Sequence, residues 1–187
     1  MQKIPTFYPA DRAQWRRWLQ MHHATEKEIW LLFPHKSTGL PCLDYGDAVQ
    51  EGICFGWIDG VIKKYDADFA CRRWTPRRPG SGWSELNKHH ARLAIAKGQM
   101  TPAGQVTLPD LKGKLKIPQE VLTRLQADPL LWKNFCALPP HYQQIRLDYI
   151  LRRANRPALY EKTLAYFCAQ TRAGKRFGPF KDSPEKY

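Results

Sequence analysis

Between Trp57 and Thr75 the sequence abandons helical spacing for a period of two, and that switch decides the fold class. Trp57 to Lys63 and Phe69 to Thr75 alternate in character, and Asp66-Ala67-Asp68 between them offers short polar side chains that close turns. The pattern predicts a β-hairpin. Helical signals flank it. Asp11 can cap a helix running to about His23, with Trp15, Trp18 and Leu19 at i, i+3, i+4. Asp44, with Asp47 three residues on, starts a second helix whose Ala48, Val49, Gly52 and Ile53 form a narrow face, the glycine admitting a close neighbour. Glu28 to Phe33, EIWLLF, is short and rich in β-formers and reads as a buried strand. The expected fold is α+β: a small antiparallel sheet with a β-hairpin, covered by helices, followed by a helical C-terminal part.

Beyond the hairpin, Pro76 to Gly82 (PRRPGSG) breaks both helix and strand ladders and must be a loop. It leads into a helix from about Ser84 to Lys97 that stops at Gly98, and Thr101-Pro102 restarts a short one. LKGKLKI, Leu111 to Ile117, is a polar connection. Pro118, Pro129 and Pro140 each fit a first helical position, with Asp128 capping the second, and Arg156-Pro157 separates two further helices. Val121/Leu125, Leu131/Phe135, Tyr142/Tyr149 and Leu159/Phe167 keep helical spacing. These signals divide the chain into an α+β body, residues 1–112, and a helical part, residues 113–187, with an extended arm after about Gly174. Trp15, Trp18, Ile29, Leu31, Ile53, Leu93, Leu125, Phe135 and Ile150 are the expected core.

At 187 residues the chain can bury such a core without disulfides or metals. Its formal net charge is +13, and residues 61–116 hold twelve Lys/Arg against four acids, so eight of those charges lie in under a third of the sequence. A field of this kind concentrates anions, be they nucleic acid, anionic lipid or a phosphorylated or carboxylated small molecule. Cys42, Cys54, Cys71, Cys136 and Cys168 are odd in number, widely spaced and without a C-x-x-C pair, as expected of reduced thiols. The first twenty residues interrupt any apolar core with charge, and no stretch approaches the ~20 apolar residues of a membrane span. A cytoplasmic location is expected.

Zincin, Walker, dinucleotide-binding and nucleophile-elbow motifs are all missing. His22-His23 and His89-His90 are adjacent pairs whose side chains diverge by ~100° on a helix, so neither metal nor cofactor is expected. Ile53 to Ser84 is the block that carries chemistry. In it Cys54 is a weak catalytic candidate, more in keeping with an inert buried thiol. Asp59, the one acid in an apolar stretch, either pairs with Arg72 or Arg73 across the hairpin or serves as a general base. Trp57, Trp74 and Trp83 bracket the basic loop and either stack on a planar ligand or pack as core. Arg77, Arg78, Ser81 and Ser84, with Asn87, sit where a Gly/Ser loop enters a helix: either guanidiniums and free N–H groups that suit a carboxylate or phosphate, or a solvated basic loop capped by Ser84 with Asn87 outward.

Three ordered segments, CFGWIDG (Cys54 to Gly60), TPRRPGSGWSELN (Thr75 to Asn87) and KGQMTPAG (Lys97 to Gly104), resemble the YdeI/OmpD-associated, or bacteriocin-protection, family. The likeness extends to a helical C-terminal part with ALPPHYQQIRLDYI, although RRANRPALYEKT stands where the family has an alanine-lysine helix. The resemblance implies antimicrobial-peptide resistance and porin association by name, and no reaction. Whether the chain is an enzyme stays open. The residues themselves favour an anionic small-molecule ligand at the Trp/Arg-rich block. A nucleic-acid-binding module on the same face and a protein-interaction or stress-protection factor are the alternatives.

Overall fold

The structure, a computed structural model, describes residues 5–178. Contacts gather the chain into two compact units, one made from the chain up to Gly82 with His90–Pro109, the other from Trp83–His89 and the chain from Asp110 onward. The fold class is α+β.

In the first unit, α1 (Arg12–His22) and α2 (Tyr45–Cys54) begin where the two aspartates place them. The Asp11 carboxylate accepts from the Gln14 N–H, and that of Asp44 accepts from Gly46 and Asp47. The sheet has the order β1-β2-β4-β3, from β1 (Thr6–Phe7), β2 (Ile29–Pro34), β3 (Trp57–Lys64) and β4 (Phe69–Pro76). β2, β4 and β3 are antiparallel neighbours as expected, and Asp66 closes the hairpin by accepting from the Asp68 and Phe69 N–H groups, each at 2.8 Å. The sheet is mixed and not wholly antiparallel, because β1 adds two residues parallel to β2. A two-residue strand has no periodicity to read.

Strand parity sorts the side chains. Trp57, Asp59, Arg72 and Trp74 share the face toward α1 and α2, with Ile29 and Leu31 of β2, while Ile58, Arg73 and Thr75 take the opposite face. Trp15, Leu19, Leu31, Ile53, Trp57 and Trp74 form the centre of the core. Each large indole removes ~150–250 Å² from water, a gross gain of ~4–6 kcal/mol at ~25 cal/mol per Å². Gly52 sits where a Cβ would come within 2.6 Å of the Trp74 ring, the close approach its helix face predicted. Trp18 is only half-buried, its ring lying between Phe7, Trp15 and Trp57. α3 (Glu85–Ala96) belongs to this unit from His90 on, where it buries the small residues Ala91 and Ala94 and leaves Leu93 half-exposed, contrary to expectation. α4 (Pro102–Gln105) follows, capped by Thr101.

The second unit holds α5 (Gln119–Gln126), α6 (Pro129–Cys136), α7 (Pro140–Leu151) and α8 (Pro157–Arg172). Val121, Leu125, Leu131, Phe135, Leu147, Ile150, Leu164 and Phe167 make its core. Asp128 caps α6, and Pro129, Pro140 and Pro157 occupy first-turn positions. Pro118 is one step earlier than expected, an extended cap residue before Gln119. Tyr149 and Leu159, expected on apolar faces, are exposed, and Tyr149 instead lies under the Arg153 guanidinium at 3.4 Å. Residues 175–178 pack on the unit, not away from it, while the rest of the predicted arm lies outside the described residues. No helix among the described residues is long and apolar enough to cross a membrane.

Candidate functional site

β4 delivers two consecutive arginines to opposite faces, and each finds a different acid. Arg72 points toward the helices and donates through Nη1 to Asp59 Oδ2 at 2.7 Å. The Tyr45 hydroxyl donates to the same oxygen at 2.7 Å, and the Arg72 guanidinium lies over the Tyr45 ring at 4.4 Å. Burial, then Asp59, pushes the Tyr45 hydroxyl well above its ordinary range. Parity thus chooses Arg72 as the partner of Asp59, and two donors hold that carboxylate in an ion pair. Arg73 turns to the other face and binds Glu28 through Nε at 2.8 Å and through Nη2.

Trp57 and Trp74 are each 1 % exposed. The Trp57 indole N–H donates to the His23 carbonyl at 3.2 Å, and the Trp74 ring meets that of Trp15 edge-on at 5.5 Å. They are core, which leaves stacking on a ligand to other groups. Cys54 is fully buried, and burial followed by the Glu51 charge raises its thiol pKa. A neutral thiol is the reverse of what a nucleophile needs.

The loop after β4 splits the second arginine pair. Arg77 folds inward: its N–H donates to the Gly56 carbonyl at 2.7 Å, its Nη1 to the Gly82 carbonyl at 3.4 Å. Burial pulls its guanidinium down to about 10, against the opposing pull of Asp59. Arg78 stays outside. Gly80, at φ +73°, turns the chain so that the Ser81 N–H and hydroxyl both donate to the Arg78 carbonyl, at 3.1 and 2.6 Å. On the face that Arg73 shares with Ile58 and Thr75, a cleft of about 430 Å³ opens, walled by Arg73, Arg78, Ser81, Lys27 and Glu28.

Trp83, Ser84 and Asn87 belong to the second unit. The Ser84 hydroxyl oxygen accepts from the Asn87 N–H at 3.1 Å, and Asp148 accepts from the Glu85 N–H at 3.1 Å. Arg152 in turn binds Asp148 at 2.7 Å and the Trp83 carbonyl at 2.8 Å. The Glu85 and Asn87 N–H groups at the start of the helix therefore have acceptors within the unit, one of them a carboxylate.

Lys27 and Glu28 escaped the sequence reading because they lie about 45 residues from Arg73 and carry no motif. Much of the CFGWIDG and KGQMTPAG segments, by contrast, serves packing. The Cys54 carbonyl, last of α2, accepts from both the Thr101 N–H (3.1 Å) and its hydroxyl (2.6 Å). Gly104 rests against that carbonyl so closely that a Cβ would stand 2.2 Å from its oxygen. Gly56, at φ +72°, faces the Ala103 carbonyl in the same way.

Residues 7–107 match the profile of a family described as a domain of unknown function (DUF8412). Residues 114–174 match the family described as Bacteriocin-protection, YdeI or OmpD-Associated. The second match upholds the family likeness but moves it: the three motifs lie within residues 7–107, whereas the matched residues are the helical part. No curated protein and no solved structure matches significantly.

Proposed function

We propose, for a chain that belongs to the DUF8412 domain family and carries a YdeI/OmpD-associated domain behind it, that the first unit binds a small phosphorylated or polycarboxylated molecule in the cleft beside β4. The observation that carries this reading is the charge around one cavity: Lys27, Arg73 and Arg78 face it, with Glu28 the single acid among its lining residues. Two positive charges in excess match a phosphate monoester, which carries ~1.5 to 2 negative charges near neutral pH. Glu28 steers Arg73 and leaves part of its guanidinium fork toward the cavity. Ile58 and Pro76 supply an apolar floor for the rest of the ligand. Tyr45, Asp59 and Arg72 brace the hairpin from the opposite face, as positioning residues. The reading assigns binding and no reaction, in a cytoplasmic setting suited to five free thiols.

Calorimetry with inorganic phosphate and with phenyl phosphate tests it. Lys27→Ala with Arg78→Ala should weaken binding at least tenfold, the scale of one or two charge-assisted contacts of ~1.5–3 kcal/mol each. Arg77 is left intact because its burial makes it part of the fold. Affinity should fall only shallowly with salt, because a small phosphate has no condensed counterion atmosphere to release and its charges are merely screened. Unchanged binding by the double variant refutes the cleft. A much steeper slope with a single-stranded oligonucleotide, and no response to phenyl phosphate, favours the nucleic-acid reading instead.

A further inference from the structure

The second unit contains a socket that its own tail fills imperfectly. Tyr142 of α7 grips the backbone of Phe177 twice: its hydroxyl donates to the Phe177 carbonyl at 3.0 Å and accepts from the Phe177 N–H at 2.9 Å. Arg146, one turn further along α7, donates through Nη2 to the same carbonyl. The Phe177 ring meets Tyr166 of α8 edge-on at 5.0 Å and Phe167 at 6.3 Å, and the Arg146 guanidinium lies over it at 4.7 Å. These are side-chain bonds to a main chain plus one aromatic pocket, the way a peptide site holds its ligand.

The tail leaves one group of the socket unsatisfied. Arg146 is only 7 % exposed, makes no ion pair among the described residues, and its Nε meets no acceptor there. Among the described residues this buried guanidinium has one neutral acceptor and none of the counter-charge that normally accompanies such burial. Gly178 follows at φ +80°, beside the guanidinium, where the absent Cβ leaves room for it. A ligand that ended at the aromatic residue would place a carboxylate there instead of a neutral peptide group. Its second carboxylate oxygen would replace the peptide nitrogen of residue 178, on the guanidinium side, and offer both Nε and Nη2 an anionic acceptor.

We propose that the groove between α7 and α8 is a receptor for an aromatic residue bearing a free carboxylate, held shut in this chain by its own Phe177. The ligand is a peptide ending in such a residue, or a free aromatic amino-acid derivative, which shares the chemistry. Lys175, Arg176 and Gly178 are exposed around the anchoring ring, so the strap can leave by local opening without unfolding the helices. The site lies wholly within the second unit and is independent of the cleft beside β4.

The test uses the full chain and the peptide acetyl-Gly-Ser-Ala-Phe as free acid and as amide, with N-acetylphenylalanine as a third probe. Phe177→Ala empties the socket, and Gly178→Ala pushes the strap off Arg146 while leaving the socket's own residues unchanged. By fluorescence anisotropy or calorimetry, both variants should bind the acid at least tenfold more tightly than the amide, and than wild type binds the acid. Adding Arg146→Lys should erase the acid–amide difference. In wild type, saturating acid should raise tryptic cleavage after Arg176 several-fold, a readout that needs no variant. N-acetylphenylalanine binding as well as the peptide identifies a free aromatic acid as the ligand, and far weaker binding identifies a chain terminus. Equal affinity for acid and amide, or no binding by folded variants together with unchanged cleavage in wild type, overturns the proposal.

Discussion

Replacing Gly52 by alanine sets two effects of known size against each other. In the helix interior, alanine is favoured over glycine by ~1 kcal/mol. At this position, however, the added Cβ would lie 2.6 Å from Trp74 Cζ3, where carbon atoms normally stop at ~3.5–4.0 Å. The ring would have to retreat by about 1 Å in a packed interior, and Trp15 stands against it at 5.5 Å. Overpacking costs ~1–3 kcal/mol, and a contact of 2.6 Å lies at the upper end, so with the ~1 kcal/mol helix gain subtracted the net loss should be ~2 kcal/mol. Gly104→Ala should cost more, because its Cβ would meet the backbone oxygen of Cys54 at 2.2 Å and no side chain can rotate away. Five of the seven tryptophans lie in the first unit, so urea unfolding followed by indole fluorescence reports on it directly. The near-UV circular dichroism of the Trp15/Trp74 pair should change with Gly52→Ala. A Gly52→Ala protein as stable as wild type, or a Gly104→Ala protein that loses less than Gly52→Ala, refutes the close-approach argument.

Alkylation of the native protein should label the exposed Cys42 and Cys136 and spare the buried Cys54 and Cys71, read by mass spectrometry, and the non-reduced mass should be that of five free thiols. Burial raises the Cys54 thiol in the folded state above its unfolded value, so its contribution is complete below the ordinary thiol range and is lost as pH climbs through the folded value. Cys54→Ala should flatten that alkaline decline in urea titrations. Trypsin under native conditions should cut first at Lys112, Lys114 or Lys116, where the chain has no helix or strand, and an initial cut within α1 or β4, at Arg16, Arg17, Arg72 or Arg73, would contradict the division proposed near residue 112.

Features with a local cause were legible in the sequence. Asp11, Asp44 and Asp128 cap helices because a short acceptor satisfies N–H groups two or three residues away, and Asp66 closes the hairpin for the same reason. The Asp59 pairing was legible as far as chain parity goes, but choosing Arg72 over Arg73 required the register that sets Asp59 beside Trp74. What stayed hidden depends on long-range placement. Lys27 and Glu28 reach the cleft only because β2 lies next to β4. Arg77 turns inward because the strand ends at Pro76 and the loop curls back on Gly56, so alternation no longer predicts direction. At the start of α3 the Glu85 N–H meets Asp148, a carboxylate that arrives from a helix some sixty residues away and carries no local signal.

The outer strand of the hairpin also bears on how the protein tolerates crowding. β3 is an edge strand, and past Gly60 it shows Val61 and Ile62 to solvent, 58 % and 59 % exposed. An uncovered apolar edge is a template on which another chain's strand can add. Here the register slips between Asp59 and Ile62, and Lys63 and Lys64 follow at once, so the edge is both kinked and charged where it is most apolar. Replacing Lys63 and Lys64 by neutral residues should therefore raise edge-to-edge association, read by light scattering.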